Sequence, residues 1–577
     1  MHTMYGTRAL SMFISLHPLR HGRFLTQVFP SRAFKEFRNL SQTSWSSPKI
    51  LKQSEPREFG SYFIRPSVVN FSSQPRPSED DIKINKEILS LKTVIEQFEL
   101  FESIKSSVSI VNRATMLYNI AKITGRNGNQ RRVLKQEKGR SREALNSAYL
   151  ELLDSISKDI TKCLPWDLAN VMWALGKLEE KNHELVQVCE RAILSRGITA
   201  FGDVGICQIV NGCIHLDLTA SGIAFALQES ICNGQLKISN FNNQLLAAML
   251  LLFAKSDRCA VHGLFHILLE EILSRDFLLM ASGDLALFVW SFAKKELKAD
   301  TLFDRVEEEI LRRGTANLER RGLVQILWAF SKAKKGGKQL FDIMDNELAS
   351  SGVEGFNNSA LSQIVWSFAT RDVTNAKVFY LVRDEVFTRD VCIFQVHQLV
   401  LILYSFVFAR RQDNRLVEEI ESELLTRDVA QFDNGHLCQV VWSLGRARKW
   451  DSKMFDVIEQ IVFQRGLHQF PKSQKFMLLR GYVEAKRLTE RLYEGLQVSF
   501  LKSSFSKLTA REIYILAWCF SEAENNTGPL INAGQLFDTL EREILTRGKI
   551  LFKGQQLNRI KKGFRKVGKG TKELFEL

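Results

Sequence analysis

No Cys-x-x-Cys pair occurs in this sequence; nine cysteines lie scattered at 163, 189, 207, 213, 232, 259, 392, 438 and 519. That spacing excludes a zinc ribbon and a disulfide framework, and leaves small buried thiols in a reducing compartment. The ten histidines show no metal-ligand spacing. No nucleophile–base pair and no nuclease-like carboxylate cluster stands out, so the reading carries no catalytic residue, no metal and no cofactor. Gly563 to Gly570 imitates a P-loop but has Gly570 where a Ser or Thr must hold magnesium. Long apolar runs are also missing: the longest, Leu245 to Ala254, falls far short of the roughly 20 residues a membrane span needs.

Acid is absent from the first 35 residues, which carry Arg8, Arg20, Arg23, Arg32 and Lys35 among apolar, Ser and His residues. A basic, acid-free, amphipathic start is the composition of an organellar transit peptide, and His17-Pro18 breaks the apolar run a secretory signal would need. The net charge of +15 is concentrated at the two ends of the chain. Residues 1–78 hold eleven Lys/Arg against three acids, and 548–577 hold nine against two, so the long middle is close to neutral. Any nucleic-acid argument must therefore rest on which face carries the cations, not on the isoelectric point.

What the sequence does have is one stretch written many times. Trp290, Trp328, Trp366, Tyr404 and Trp442 follow each other at a constant step of 38, each opening a string such as Trp-Ser-Phe-Ala. Two more steps reach a blurred copy at Arg480 and a clear one at Trp518, and earlier copies sit at Leu251, Asn211 and Trp173. Six of the nine tryptophans fall in this column, and a fixed period of that size is the signature of a stacked array. The expected fold is all-α: an α-α superhelix, or solenoid, of about eleven helix-turn-helix repeats.

Within a repeat, helix A carries the tryptophan and helix B follows. Helix B ends in Arg and then Gly or Asp at Arg196, Arg275, Arg313, Arg389, Arg427, Arg465 and Arg547. The glycine supplies a left-handed stop and the arginine meets the negative end of the helix dipole. A Glu four residues earlier, as in Glu271/Arg275 or Glu423/Arg427, adds a solvent-facing pair worth about 0.3 kcal/mol.

On a wheel at about 100° per residue, positions −5, −2, −1 and +2 from the tryptophan form the core face, for example Leu361, Ile364, Val365 and Phe368. The opposite stripe holds positions −7, −3 and +4. Position −3 is Asn170, Gln208, Gln325, Gln363 and Gln439 in five repeats and apolar in others. Position +4 is Lys177, His215, Lys255, Lys294, Lys332 and Arg446. One changeable amide per repeat with a cation one turn beyond is what reading single-stranded RNA requires: a base-edge contact and a phosphate partner. The alternative is an amide ladder stitching neighbouring helices together. The tryptophans themselves are expected to pack between adjacent A helices, since a constant ring suits a constant neighbour.

The string Leu164-Pro-Trp-Asp-Leu-Ala-Asn-Val-Met-Trp-Ala-Leu-Gly-Lys-Leu178, with its period, resembles the octotricopeptide repeat family over about 160–548. The related FASTK-like repeats point the same way. The resemblance implies paired antiparallel helices and sequence-selective binding of organellar RNA, mRNA or rRNA, in processing, stabilisation or translation. No RAP domain follows the array, so no effector activity is carried over, and protein partners would have to supply any catalysis. Four regions result: a transit peptide and linker at 1–78; N-terminal helices with a basic inserted loop, 125–142, at 79–160; the array at 161–548; and a basic capping helix and tail at 549–577. The expected location is the mitochondrial matrix, with the plastid stroma as the alternative. The rival function is a helical-repeat protein scaffold, for example in an organellar ribosome or ribonucleoprotein assembly.

Overall fold

A computed structural model describes residues 78–577 apart from 136–139, 182–183, 258–260, 316, 372, 374–375, 412 and 528–532. The transit peptide and its linker lie outside the described residues. The described chain is 79% helical, with 27 helices and no strand among the described residues. It divides into two compact units, residues 78–302 and 303–577, with the boundary inside helix Asp300–Arg313. The all-α helix-pair repeat is as the period predicts.

In the second unit the A helices are Arg320–Ala333, Asn358–Thr370, Val396–Phe408, Asn434–Arg446, Lys472–Glu484, Ala510–Thr527 and Gly554–Lys566. In the first they include Ile110–Arg126, Pro165–Leu178, Asp203–Leu216, Asn243–Lys255 and Ser282–Lys294. Within each unit every A helix packs on the next A helix, more closely than B helices pack on each other. The A helices thus form the more tightly packed layer of each unit.

The core face of helix A is as the wheel places it: Leu361, Ile364, Val365 and Phe368, and likewise Leu437, Val440, Val441 and Leu444, are fully buried. Position +2 is where helix A is locked to helix B of the preceding repeat. A phenylalanine of helix B meets it edge-on in Phe265–Phe292, Phe303–Phe330, Phe341–Phe368, Phe379–Phe406 and Phe537–Phe564, with ring centroids 5.0–5.7 Å apart. Tyrosine replaces one partner in Phe455–Tyr482 and Tyr493–Phe520. An edge-to-face pair is worth about 1 kcal/mol beyond the area it buries. The pair recurs at one constant sequence distance, so it measures out the repeat.

The arginines ending helix B do more than meet a dipole. Arg389 pairs with Glu385 at 2.5 Å, and it also donates to Asn358 Oδ1 at 2.9 Å, at the start of its own helix A, and to the Glu354 carbonyl at 2.8 Å, in the connection before that helix. Arg427 reaches the Cys392 carbonyl, Arg465 the Ala430 carbonyl and Asn434, and Arg547 the Phe505, Ser506 and Leu508 carbonyls. The expected solvent-facing pair is thus largely covered, with Arg389 and Glu385 only 17% and 11% exposed. Each arginine staples its helix to the connection one repeat back, a fork of donors that a lysine could not reproduce.

Those connections carry a one-turn 3-10 helix, such as Ile198–Ala200, Val391–Ile393 or Leu467–Gln469. Glycine enters it with a positive φ, and aspartate either way, Asp390 with a φ of 70°. Gly197 and Gly466 have φ of 75° and 84°, as a left-handed stop requires. Asp276 and Asp428 keep an extended backbone and instead accept from the Leu278 and Ala430 amides.

One sequence expectation is corrected. The basic segment 125–142 is not an inserted loop: helix Gly128–Lys135 and the start of helix Arg140–Asp159 occupy it. Lysine, arginine and glutamine are good helix formers, and tertiary partners hold the short helix. Gln130 Oε1 accepts from the Val94 amide at 2.9 Å, and Arg131 pairs with Glu179 at 3.1 Å.

Candidate nucleic-acid interface

The ring column runs along the A layer inside each unit. Trp290, Trp328, Trp366 and Trp442 are only 3–7% exposed, and Tyr404 8%. Trp328 and Trp366 lie 6.5 Å apart, Tyr404 and Trp442 5.1 Å, and Tyr118 meets Trp173 at 4.9 Å. Burial pushes the Tyr404 phenol well above its ordinary range. These rings are the packing between successive A helices.

The amides at position −3 are placed deeper than a single-helix wheel shows. Asn170, Gln325, Gln363 and Gln439 are 4–7% exposed, and Gln208 is half-buried. Gln208 donates to Asn170 Oδ1 at 2.8 Å, one rung of an amide ladder across two repeats. Gln363 donates to Ser359 Oγ at 3.1 Å within its own helix. The buried Oε1 atoms of Gln208 and Gln439 have no hydrogen-bond partner among the described residues. The physical reason is lateral: adjacent A helices cover the flanks that the wheel leaves open.

The +4 cations remain at the edge of this layer. Lys177 Nζ lies 3.3 Å from His215 Nε2 and 5.8 Å over the Trp173 ring. Lys255, Lys294 and Lys332 are half-buried, and Arg446 is 38% exposed with Glu484 at 3.8 Å. Burial pushes the Arg446 guanidinium down; Glu484 opposes the shift, and Arg480, Arg410 and Arg448 add to it.

A further column was not read from the sequence. Two residues past +4, at the end of helix A, the backbone turns left-handed on a non-glycine residue: Glu179, Asp217, Glu296, Lys334, Arg410, Arg448 and Lys486, with φ between 55° and 66°. The next amide bonds back into the helix, as Arg411 to the Phe406 carbonyl at 2.8 Å and Lys449 to Leu444 at 3.0 Å, which is a Schellman closure. A side chain in this conformation costs about 1 kcal/mol over glycine, yet glycine is not used. The sign of the side chain follows the unit: Glu179, Asp217 and Glu296 in the first, Lys334, Arg410, Arg448 and Lys486 in the second. The constant spacing of these charges was the signal that could have found them.

Fold and site together define an all-α helical-repeat protein whose A layer carries a repeating set of charges. No family model and no curated protein matches the chain. Among solved structures it is similar to yeast Rmd9p in complex with a 16nt target RNA, at 13% identity and a TM-score of 0.31, over 84% of this chain and 97% of that one.

Proposed function

We propose that this protein is a non-catalytic, single-stranded RNA-binding protein of an organelle, acting in RNA processing, stabilisation or translation at about one nucleotide per repeat. The observation that carries the reading is the recurrence of a cation in register on the A helices of each unit: Lys177, Lys255 and Lys294 in the first, Lys332 and Arg446 in the second, with Lys334, Arg410, Arg448 and Lys486 just beyond. A strand laid along the A helices of a unit meets a phosphate partner in most repeats, though not in that of Trp366, where Thr370 takes the position. Residues 1–78 act as the targeting segment in this reading, with the mitochondrion favoured over the plastid. The −3 amides contribute little base selectivity in this reading, since four are buried and Gln208 is bonded to Asn170 with its Oε1 covered.

Crosslinking in the organelle followed by sequencing of the bound RNA tests this directly. A discrete set of organellar transcripts is the expected result, and protein crosslinks with no RNA recovered would overturn it. In the first unit the caps Glu179, Asp217 and Glu296 carry acid where the second unit carries cations, and the chain's own Arg131 and Lys181 pair with the first two at 3.1 Å and 3.7 Å.

A further inference from the structure

In the second unit five arginines on four successive A helices form a chain along the layer: Arg410 and Arg448 act on Arg446, and Arg480 acts on both Arg446 and Arg511. Arg410 and Arg448 sit on left-handed caps with exposed side chains; Arg446 ends its helix, Arg480 stands in the ring column, and Arg511 lies one stripe position inward on the next helix. Arg446 and Arg480 share one carboxylate, Glu484, at 3.8 Å and 2.8 Å. Glu512, beside Arg511 in the chain, is engaged with Lys472 at 2.9 Å. The charges feel one another: burial and then Arg480 push Arg511 down to about 10, and burial with Arg480, Arg410 and Arg448 pushes Arg446 down against the pull of Glu484. Cations held together in a partly dry site favour an incoming anion, because it relieves their mutual repulsion.

A second feature points to a nucleotide rather than a bare anion. Trp450, two residues past Arg448, is 43% exposed, with Lys486 Nζ 5.2 Å from its ring centroid. Trp290, Trp328, Trp366 and Trp442 are buried, whereas Trp450 is open beside the cations, a surface on which a base can stack.

Resting on the RNA reading above, we propose that Arg410, Arg446, Arg448, Arg480 and Arg511 grip the phosphate backbone of a single-stranded RNA, with Trp450 stacking on the adjoining base. The second unit then supplies most of the affinity, while the first, capped by Glu179, Asp217 and Glu296, supplies little.

The test uses the full chain and a randomised single-stranded RNA pool, with affinity measured across a salt series and melting temperature recorded for each variant. Arg410→Ala/Arg448→Ala should weaken binding roughly tenfold and lower the salt slope by about 1.4, two released counterions on a single strand. Arg410→Lys/Arg448→Lys should keep the slope. Trp450→Ala should weaken binding by about tenfold at unchanged slope, since stacking releases no ions. Lys83→Ala/Lys86→Ala, the same charge loss on an exposed helix of the first unit, should change affinity by less than about twofold. RNA bound by the wild type with an unchanged slope in the double arginine variant overturns the anchor and leaves the RNA reading standing. Competition by polyglutamate as strong as by RNA, with Trp450→Ala silent, would assign the cluster to an acidic protein segment and also overturn it. A wild-type chain that binds no RNA overturns the RNA reading itself.

Discussion

Gly445 lies against Gly481 of the next A helix so closely that a Cβ on the first would overlap the carbonyl of the second. Gly176 and Gly212 repeat this in the first unit, where a Cβ on Gly176 would stand 2.9 Å from Gly212 Cα. Where serine replaces glycine it bonds across the same contact, as Ser331 Oγ donates to the Ser367 carbonyl at 3.0 Å. Small residues on the A layer thus let helix backbones touch, which is how the A helices come to pack more closely than the B helices.

Gly481→Ala should therefore cost about 2–3 kcal/mol through overpacking, since its Cβ would lie 2.7 Å from the Val441 carbonyl oxygen. Gly283, with nothing within 4 Å of an added Cβ in its helix, should gain about 0.5 kcal/mol on the same change. Denaturant midpoints of the two variants check the contrast, and equal effects would mean the helices part easily.

Arg389→Ala removes the bonds to Glu385, Asn358 and the Glu354 carbonyl at once. A loss of about 2–3 kcal/mol is expected, the scale of a charge-assisted bond and the carboxylate left behind. Arg389→Lys should recover less than half of it, because the fork is lost. RNA affinity at a temperature where the variant is folded should not change.

Stability should fall in mild acid. His397 is 7% exposed; burial, aided by His436, pushes its imidazole from 6.5 down to about 4. His436 is pushed down by burial too, opposed by Asp433. The unfolded chain protonates first, so the contribution of His397 is complete above pH 6.5 and is lost as pH falls towards 4. Its size is about 3 kcal/mol at most. Melting curves from pH 7 to 4 should show this loss, and His397→Gln should flatten it.

Gln363→Ala separates the two roles of the amide column. With Nε2 bonded to Ser359 and the side chain 6% exposed, the expected outcome is a loss of about 1 kcal/mol in stability and an unchanged base preference. A relaxed preference at one nucleotide with unchanged melting would restore base reading at this position.

Much of this protein was legible in its sequence. The ring column, the buried face of Leu361, Ile364, Val365 and Phe368, and the arginine stops of helix B all follow from a period and a wheel, because they depend only on residues within one repeat. What needed the tertiary structure was everything set by the neighbouring repeat. A wheel drawn for one helix could show that Gln363 and Gln439 oppose the core, but not that the adjacent A helices close over them. It could pair Glu385 with Arg389, but not carry Arg389 to the Glu354 carbonyl. The segment 125–142 looked like a loop because charge dominates its composition, and the contacts of Gln130 and Arg131 decided otherwise. The arginines at 410, 446, 448, 480 and 511 are far apart in the chain and occupy four different positions of the repeat. Only the stacking of A helices at the spacing that glycine and serine allow turns them into one chain of charges.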